Sequence, residues 1–403
     1  MNVENIKDFL NKKDYDIRKS KNGRWIDQKC TPDVLTIIAD CILNFIGEDN
    51  NKTFKSKEIQ LSDYSDKTIR LYFGKPGTKK KCVENEYDKF FSQPLKLLAY
   101  ADILSEKKEG NSNIYSINNH DLLEYISLSD KNSFNFIFEY IQKVLSDSDI
   151  LSNFNDFFND QNSENFQKLK DNYINFTINN TKINGKTECS RIFTKVINPL
   201  AFRYKKFGTS KGRFSKKYFS FTDLLYNKEN FRDIYSKKPK EISRKEWLEQ
   251  SNLKNKAELI YKKEAVRSKK FLRKFNNENR NGYTEVLTGE YIGPASQIHH
   301  IFPESQFPFI SHEYENLVAL SPSQHYLCAH PNNNTGLIDK EYQIIILNEK
   351  NERIKENIED NNVETIYSFD NMVKVINEGF KTDFETLNNT YSTVKSILTE
   401  ISV

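Results

Sequence analysis

Apolar positions along this chain recur mostly at helical spacing. Phe134, Phe138, Ile141 and Leu145 mark one face of a helix and read as core. Val34 to Ile46 is apolar almost throughout. Thr31-Pro32-Asp33 supplies its N-cap, a proline in the first turn and a first-turn acid, and Gly47 ends it. Phe54 to Ile59 begins a short helix. Ser65 to Phe73 predicts another, closed by Gly74 and Pro76, and Pro94 to Leu104 a further one. The period then changes: Ser105 to Ile117 reads as strand, polar turn (Glu109-Gly110-Asn111-Ser112) and strand. Asp121 to about Asn198 is helical, acidic and Asn-rich. Strand composition starts near Tyr283, and Asn351 to Val403 reads as two or three amphipathic helices. No internal repeat is present. The best membrane candidate, Val34 to Ile46, contains Asp40 and Asn44 and falls short of the ~18 apolar residues a span needs.

Length and charge sharpen this picture. At 403 residues the chain has room for two or three domains, and 29 Phe with 21 Tyr can build a large core. The start, MNVENIKDFLNKKDYD, lacks a signal pattern. Cys30, Cys41, Cys82, Cys189 and Cys328 are odd in number and widely spread, which argues against a disulfide framework and against structural zinc. A cytoplasmic protein with reduced thiols is expected, without a membrane. The net charge of +4 hides an asymmetry: residues 203–282 hold 24 Lys/Arg against 9 Asp/Glu, a net +15, which leaves −11 for the rest. Such a block suits a polyanionic partner. Within it, Arg203 to Tyr218 carries seven positive charges and no negative one, among aromatics and glycines. Lys205, Lys206, Lys211, Arg213, Lys216 and Lys217 are therefore candidate DNA-backbone contacts. So are Lys263, Arg267, Lys270 and Lys274, spaced i, i+4, i+7, i+11 on one helix face.

The order helix, helix, helix, hairpin over about 31–126 resembles a winged helix. A recognition helix near Ser65–Phe73 would present Lys67, Thr68 and Arg70 to a major groove, and the basic stretch Gly74–Lys81 after it suits phosphates. Asp27-Gln28-Lys29 holds the Asp-x-Lys fragment of the PD-(D/E)xK nucleases. It has no clear acidic partner on an upstream strand.

Chemistry concentrates elsewhere. Five of the six histidines lie between His299 and His330, where a uniform scatter would place about half of one. Ser296 to Ile301 and Leu317 to Leu320 have strand composition, and Ser321-Pro322 starts a helix. His299 and His300 thus end the first strand, Asn316 precedes the second, and His325 sits in the first helical turns. Asn316 follows His300 by 16 residues and His325 follows Asn316 by 9. With Ile301-x-Pro303 and Glu315-Asn316-Leu317, this pattern resembles the HNH, or ββα-metal, endonucleases over roughly residues 283–345. The resemblance implies that His300 is the general base, that Asn316 keeps it aimed, and that His299 and His325 hold one divalent metal. That metal would be Mg²⁺, with Mn²⁺, Ni²⁺ or Zn²⁺ as substitutes. Neighbouring strand residues face opposite sides, so His299 and His300 can take different partners. On an α-helix His330, five residues past His325, lies about 140° off its face and is the secondary candidate for metal or phosphate.

The expectation is an α+β protein. It comprises a winged-helix-like DNA-recognition domain (1–128), a mainly helical region (129–282) with the basic block at 203–282, an HNH module (283–350) and C-terminal helices (351–403). The combination resembles a Type II restriction endonuclease acting on double-stranded DNA as a homodimer, beside a partner methyltransferase. The alternatives are a homing or defence HNH nuclease, or a winged-helix regulator with an inactive module.

Overall fold

The computed structural model describes residues 3–73, 77–79, 84–226, 254–330, 338–384 and 389–402. They fall into two units, Met1–Lys238 and Pro239–Val403. Both are mainly helical with small antiparallel sheets, an α+β composition.

In the first unit the helix Pro32–Ile46 is buried along almost its whole length, because its apolar residues leave no polar face. It packs against the helices His120–Leu128 and Asp130–Asp147, and the Thr36 and Ser133 hydroxyls meet at 2.7 Å between them. The predicted stripe Phe134, Phe138, Ile141, Leu145 is buried. Phe136, Ile137, Tyr140 and Val144 are buried as well, so the helix is enclosed on more than one side. Strand β1 (Phe54–Lys55) is followed by helices Ser56–Leu61, Asp63–Phe73 and Glu84–Tyr100. Then comes a hairpin of β2 (Leu104–Glu109) and β3 (Ser112–Ile117), giving the sheet order β1-β3-β2. The hairpin turn is two residues long, with Gly110 at φ +57°. Pro94 does not start a helix as expected; it lies inside Glu84–Tyr100. A second hairpin pairs β4 (Thr209–Ser210) with β5 (Arg213–Phe214).

The expected division at 128/129 is not where the unit breaks. Ser129 alone joins two helices and caps the second, accepting from the Asn132 amide. The expected boundary at 350/351 cuts the helix Lys340–Glu359 in half. Among the described residues, no helix is long and apolar enough to cross a membrane. Cys30, Cys41, Cys189 and Cys328 are free thiols. Cys82 and most of Gly74–Lys81 lie outside the described residues.

The second unit is built on the helix Lys254–Asn279, which packs on strands β6 (Gln297–His300) and β7 (Leu317–Leu320). These pair antiparallel, with His299 opposite Val318 and His300 opposite Leu317. All four residues of β7 are buried, as expected for a strand covered on both faces. Helices Lys340–Glu359, Phe369–Phe380 and Tyr391–Ile401 complete the unit. A buried charge cluster ties it together. Lys350, with no exposed side chain, bonds Glu285 at 3.2 Å and the Tyr367 hydroxyl at 2.9 Å. The other Glu285 oxygen accepts from the Ala319 amide of β7 at 2.7 Å.

Candidate metal centre

Strand alternation sends His299 and His300 to different neighbours. His299 is only 4% exposed and faces His325 and His330, with ring centroids 5.2 and 5.0 Å away. Those two are 4.7 Å from each other. One nitrogen from each ring can be chosen so that all three lie within 4.8 Å of one another. Nε2 of His299 and Nδ1 of His325 are buried and have no hydrogen-bond partner among the described residues. An unpaired buried polar atom costs about 1–3 kcal/mol, so two in one cluster suit a bound cation. Burial, and after it the neighbouring His325 and His330, pushes His299 well below the ordinary histidine value. Burial, then His330, brings His325 to about 4. Both rings are therefore neutral at neutral pH, the form that ligates a cation.

His330 joins the cluster, against the expectation from α-helical geometry. The segment Gln324–Ala329 is wound as a π-helix, with hydrogen bonds from i to i+5, and His330 follows its last residue. The wider turn brings residues five apart onto neighbouring positions, and such turns are frequent at functional sites.

His300 has a different environment. Its Nε2 lies 3.0 Å from the Ser311 carbonyl. A carbonyl only accepts, so Nε2–H donates and Nδ1 keeps its lone pair. Burial, then the Lys269 charge, lowers His300 to about 4, against the opposing effect of the Ser311 bond. Asn316 is fully buried and closes the loop between the strands. Its Oδ1 accepts from the Phe302 amide at 2.8 Å, and its Nδ2 donates to the carbonyls of Phe302 and Ile310, both at 3.1 Å. The two ends of the loop are thereby pinned one residue short of Ser311. Asn316 holds His300 through that backbone. Gly379 makes room beside it, because a Cβ there would collide with the Phe302 ring.

All four histidines line one pocket of about 530 Å³, together with Glu258, Lys262, Lys269 and Glu304. Glu304 comes within 3.9 Å of His300 Nε2. Lys269 acts electrostatically on His299, His300 and His325. Lys262 and Lys269 were not singled out from the sequence. The i, i+4, i+7, i+11 stripe falls on a different face of Lys254–Asn279, and Lys263, Arg267, Lys270 and Lys274 do not line the pocket. Arg267 is largely buried against Glu264 at 3.2 Å. Spacing along one helix does not show which face the rest of the fold covers.

The remaining candidates lie in the first unit. Lys205, Lys211, Arg213, Lys216 and Lys217 are exposed around the β4–β5 hairpin, and Lys206 is half-buried. Asn198 holds this hairpin through both backbone groups of Thr209, and Gln161 through both of Phe207. On Asp63–Phe73, Lys67 and Arg70 are exposed, with Arg70 3.6 Å from Asp66. Thr68 is fully buried, because Ser65, Thr68, Ile69 and Tyr72 form the inward face. It is therefore corrected from candidate contact to core. Asp27 pairs with Arg24 at 2.7 Å and Lys29 with Glu86 at 2.6 Å, off any strand.

The arrangement can hold a divalent cation on three imidazoles beside a fourth imidazole that can accept a proton. Compared with family models, with curated proteins and with solved structures, the chain gives no significant match.

Proposed function

We propose that the second unit is an HNH-type, ββα-metal nuclease and that the chain is a Type II restriction endonuclease acting on double-stranded DNA. The observation that carries this reading is the coincidence, in one pocket, of His300 with an acceptor nitrogen and three further imidazoles, two of which have unpaired buried nitrogens.

The donor set fits a divalent ion held by His299, His325 and His330. Mg²⁺ is the ion expected from the family resemblance. Three imidazoles suit Mn²⁺, Ni²⁺ or Zn²⁺ better than Mg²⁺, which prefers oxygen, so tighter binding of the former group is part of the proposal. When bound, the ion would neutralise charge on the scissile phosphate and on the leaving 3′ oxygen. His300 Nδ1 takes the proton of the attacking water while the Ser311 carbonyl holds the ring, and Asn316 keeps the loop in place. Attack on phosphorus with departure of the 3′ oxygen leaves 5′-phosphate and 3′-hydroxyl ends.

The first unit would supply recognition. Helices Pro32–Ile46, Asp63–Phe73 and Glu84–Tyr100 with the β2–β3 hairpin support a winged-helix-like reader, on which Lys67 and Arg70 are exposed. The β4–β5 hairpin, with its exposed Lys211, Arg213, Lys216 and Lys217, suits the phosphate backbone. Two cuts call for two active sites, hence a homodimer, and self-protection calls for a DNA methyltransferase. A cytoplasmic location accords with both.

The test is cleavage of unmethylated phage DNA by the purified protein with Mg²⁺, with Mn²⁺ or with EDTA, beside His300→Ala. Discrete fragments that disappear in EDTA and in the variant support the proposal. A few rare cuts favour a homing nuclease, and a smear favours a non-specific defence nuclease. Intact DNA with every ion overturns the nuclease reading in favour of a DNA-binding regulator.

A further inference from the structure

The nuclease reading leaves one half-buried cation, Lys269, without a task. Lys269 lies on the pocket wall formed by Lys254–Asn279 and acts electrostatically on three of the four histidines. Among the described residues its ammonium forms neither a hydrogen bond nor an ion pair, although Glu304 lies near enough to act on it. Its place is also firmly built. The adjoining Ser268 hydroxyl donates to the His312 carbonyl at 2.7 Å, one residue from the Ser311 carbonyl that holds His300. Tyr261 stacks on His312 and Phe271 on Tyr314, so the helix is fixed to the same loop on both sides of Lys269. Lys262 lines the pocket two helical turns earlier, about 10 Å along the axis.

We propose that Lys269 is a catalytic residue whose ammonium binds a non-bridging oxygen of the scissile phosphodiester, with Lys262 holding a neighbouring phosphate. This rests on the nuclease reading for its substrate. The phosphate-binding part stands on the pocket alone. Charge accumulates on the non-bridging oxygens as the water oxygen adds to phosphorus, so a fixed ammonium there is worth more in the transition state than in the ground state. No proton needs to leave Lys269.

The test uses the full chain and the variants Lys269→Gln and Lys269→Arg. Three readouts are taken: kcat and KM on duplex DNA, the Mn²⁺ affinity, and broadening of the inorganic phosphate ³¹P signal by protein-bound Mn²⁺. For Lys269→Gln, kcat should fall by roughly 10²-fold, the loss typical of one transition-state donor, with KM within about threefold. Mn²⁺ affinity should stay unchanged, phosphate broadening should weaken, and Lys269→Arg should recover part of kcat. Wild-type kcat in Lys269→Gln, with His300→Ala inactive, overturns the proposal and leaves the nuclease reading standing. A loss of kcat that follows a loss of Mn²⁺ affinity also overturns it, because Lys269 is then structural. If the wild-type protein cuts no DNA, the nuclease reading fails, and phosphate broadening decides the rest. Broadening that depends on Lys269 keeps the anion site, and none in any variant removes it.

Discussion

The second unit buries two clusters of polar side chains, and they differ in how completely they satisfy themselves. Around Lys350 the bonding closes. The ammonium meets Glu285 and Tyr367, the tyrosine hydroxyl donates back to Glu285 at 3.3 Å, and the second carboxylate oxygen takes a strand amide. Around His299 it does not close, since two of three inward-facing rings keep a buried nitrogen without a partner. His299 and His330 are about as hidden from solvent as the Lys350 group, with His325 half-buried, so burial alone does not separate a structural cluster from a candidate functional one. A cluster whose bonds close on themselves holds the fold together, and a cluster with free imidazole nitrogens could hold a metal ion.

The widest separation between the two should come from Lys350→Ala. Breaking a buried pair leaves Glu285 uncompensated, and the second unit should lose about 3–5 kcal/mol in denaturant unfolding. Lys350→Met combined with Glu285→Gln should recover a large part of that. A loss below about 1 kcal/mol for Lys350→Ala would show that this cluster does not hold the fold together.

Glu315 tests burial of a charge without a cationic partner in contact. It is 1% exposed, and burial raises it to about 7 from an ordinary 4.5, although the Ser368 amide opposes this at 2.8 Å. A group raised in the fold supports stability fully below its unfolded value and loses that support as pH climbs through its folded value. Stability should therefore fall between about pH 4.5 and pH 7.5. Glu315→Gln should flatten this slope and gain up to about 3 kcal/mol at pH 8, as measured by urea unfolding across pH. An unchanged slope would remove Glu315 as its source.

Asn316→Ala removes three hydrogen bonds and leaves the Phe302 and Ile310 groups buried. It should cost about 1–3 kcal/mol and also lower cleavage, because Ser311 then no longer holds His300. A stability loss with full cleavage would show that the loop does not aim the histidine. The contrasting variant is His325→Ala. Taking away an unpaired buried nitrogen should leave the metal-free protein as stable as before or more so by about 1 kcal/mol, in contrast to Lys350→Ala. The smallest effect belongs to the first unit. Neutralising Lys216 and Lys217 should weaken DNA binding in gel shift and reduce its log–log salt slope by about 1 per lysine, with cleavage position unchanged.

How much of this was legible in the sequence follows from how local each feature is. The two strands, the opposite facing of His299 and His300, and the position of Asn316 just before the second strand follow from short spacings and cap residues that act within a few positions. α-Helical rotation ranks His330 as the secondary candidate, and the π-wound turn Gln324–Ala329 brings it round. A charge stripe singles out Lys263, Arg267, Lys270 and Lys274 rather than Lys269 because it shows periodicity and not which face the loop at 308–314 covers. The same kind of argument places Thr68 at a groove, and it packs inward. The Glu285–Lys350–Tyr367 cluster joins residues up to 82 positions apart and left no local mark.

If the imidazoles of His299, His325 and His330 make a metal site, they should take up an ion without DNA. Calorimetric titration of the metal-free chain with Mn²⁺ measures this, alongside His325→Ala and Glu315→Gln. One ion per chain is expected for the wild-type protein and for Glu315→Gln, and no binding for His325→Ala. Equal binding in His325→Ala, or none in the wild-type protein with Mn²⁺, Ni²⁺ or Zn²⁺, would contradict it.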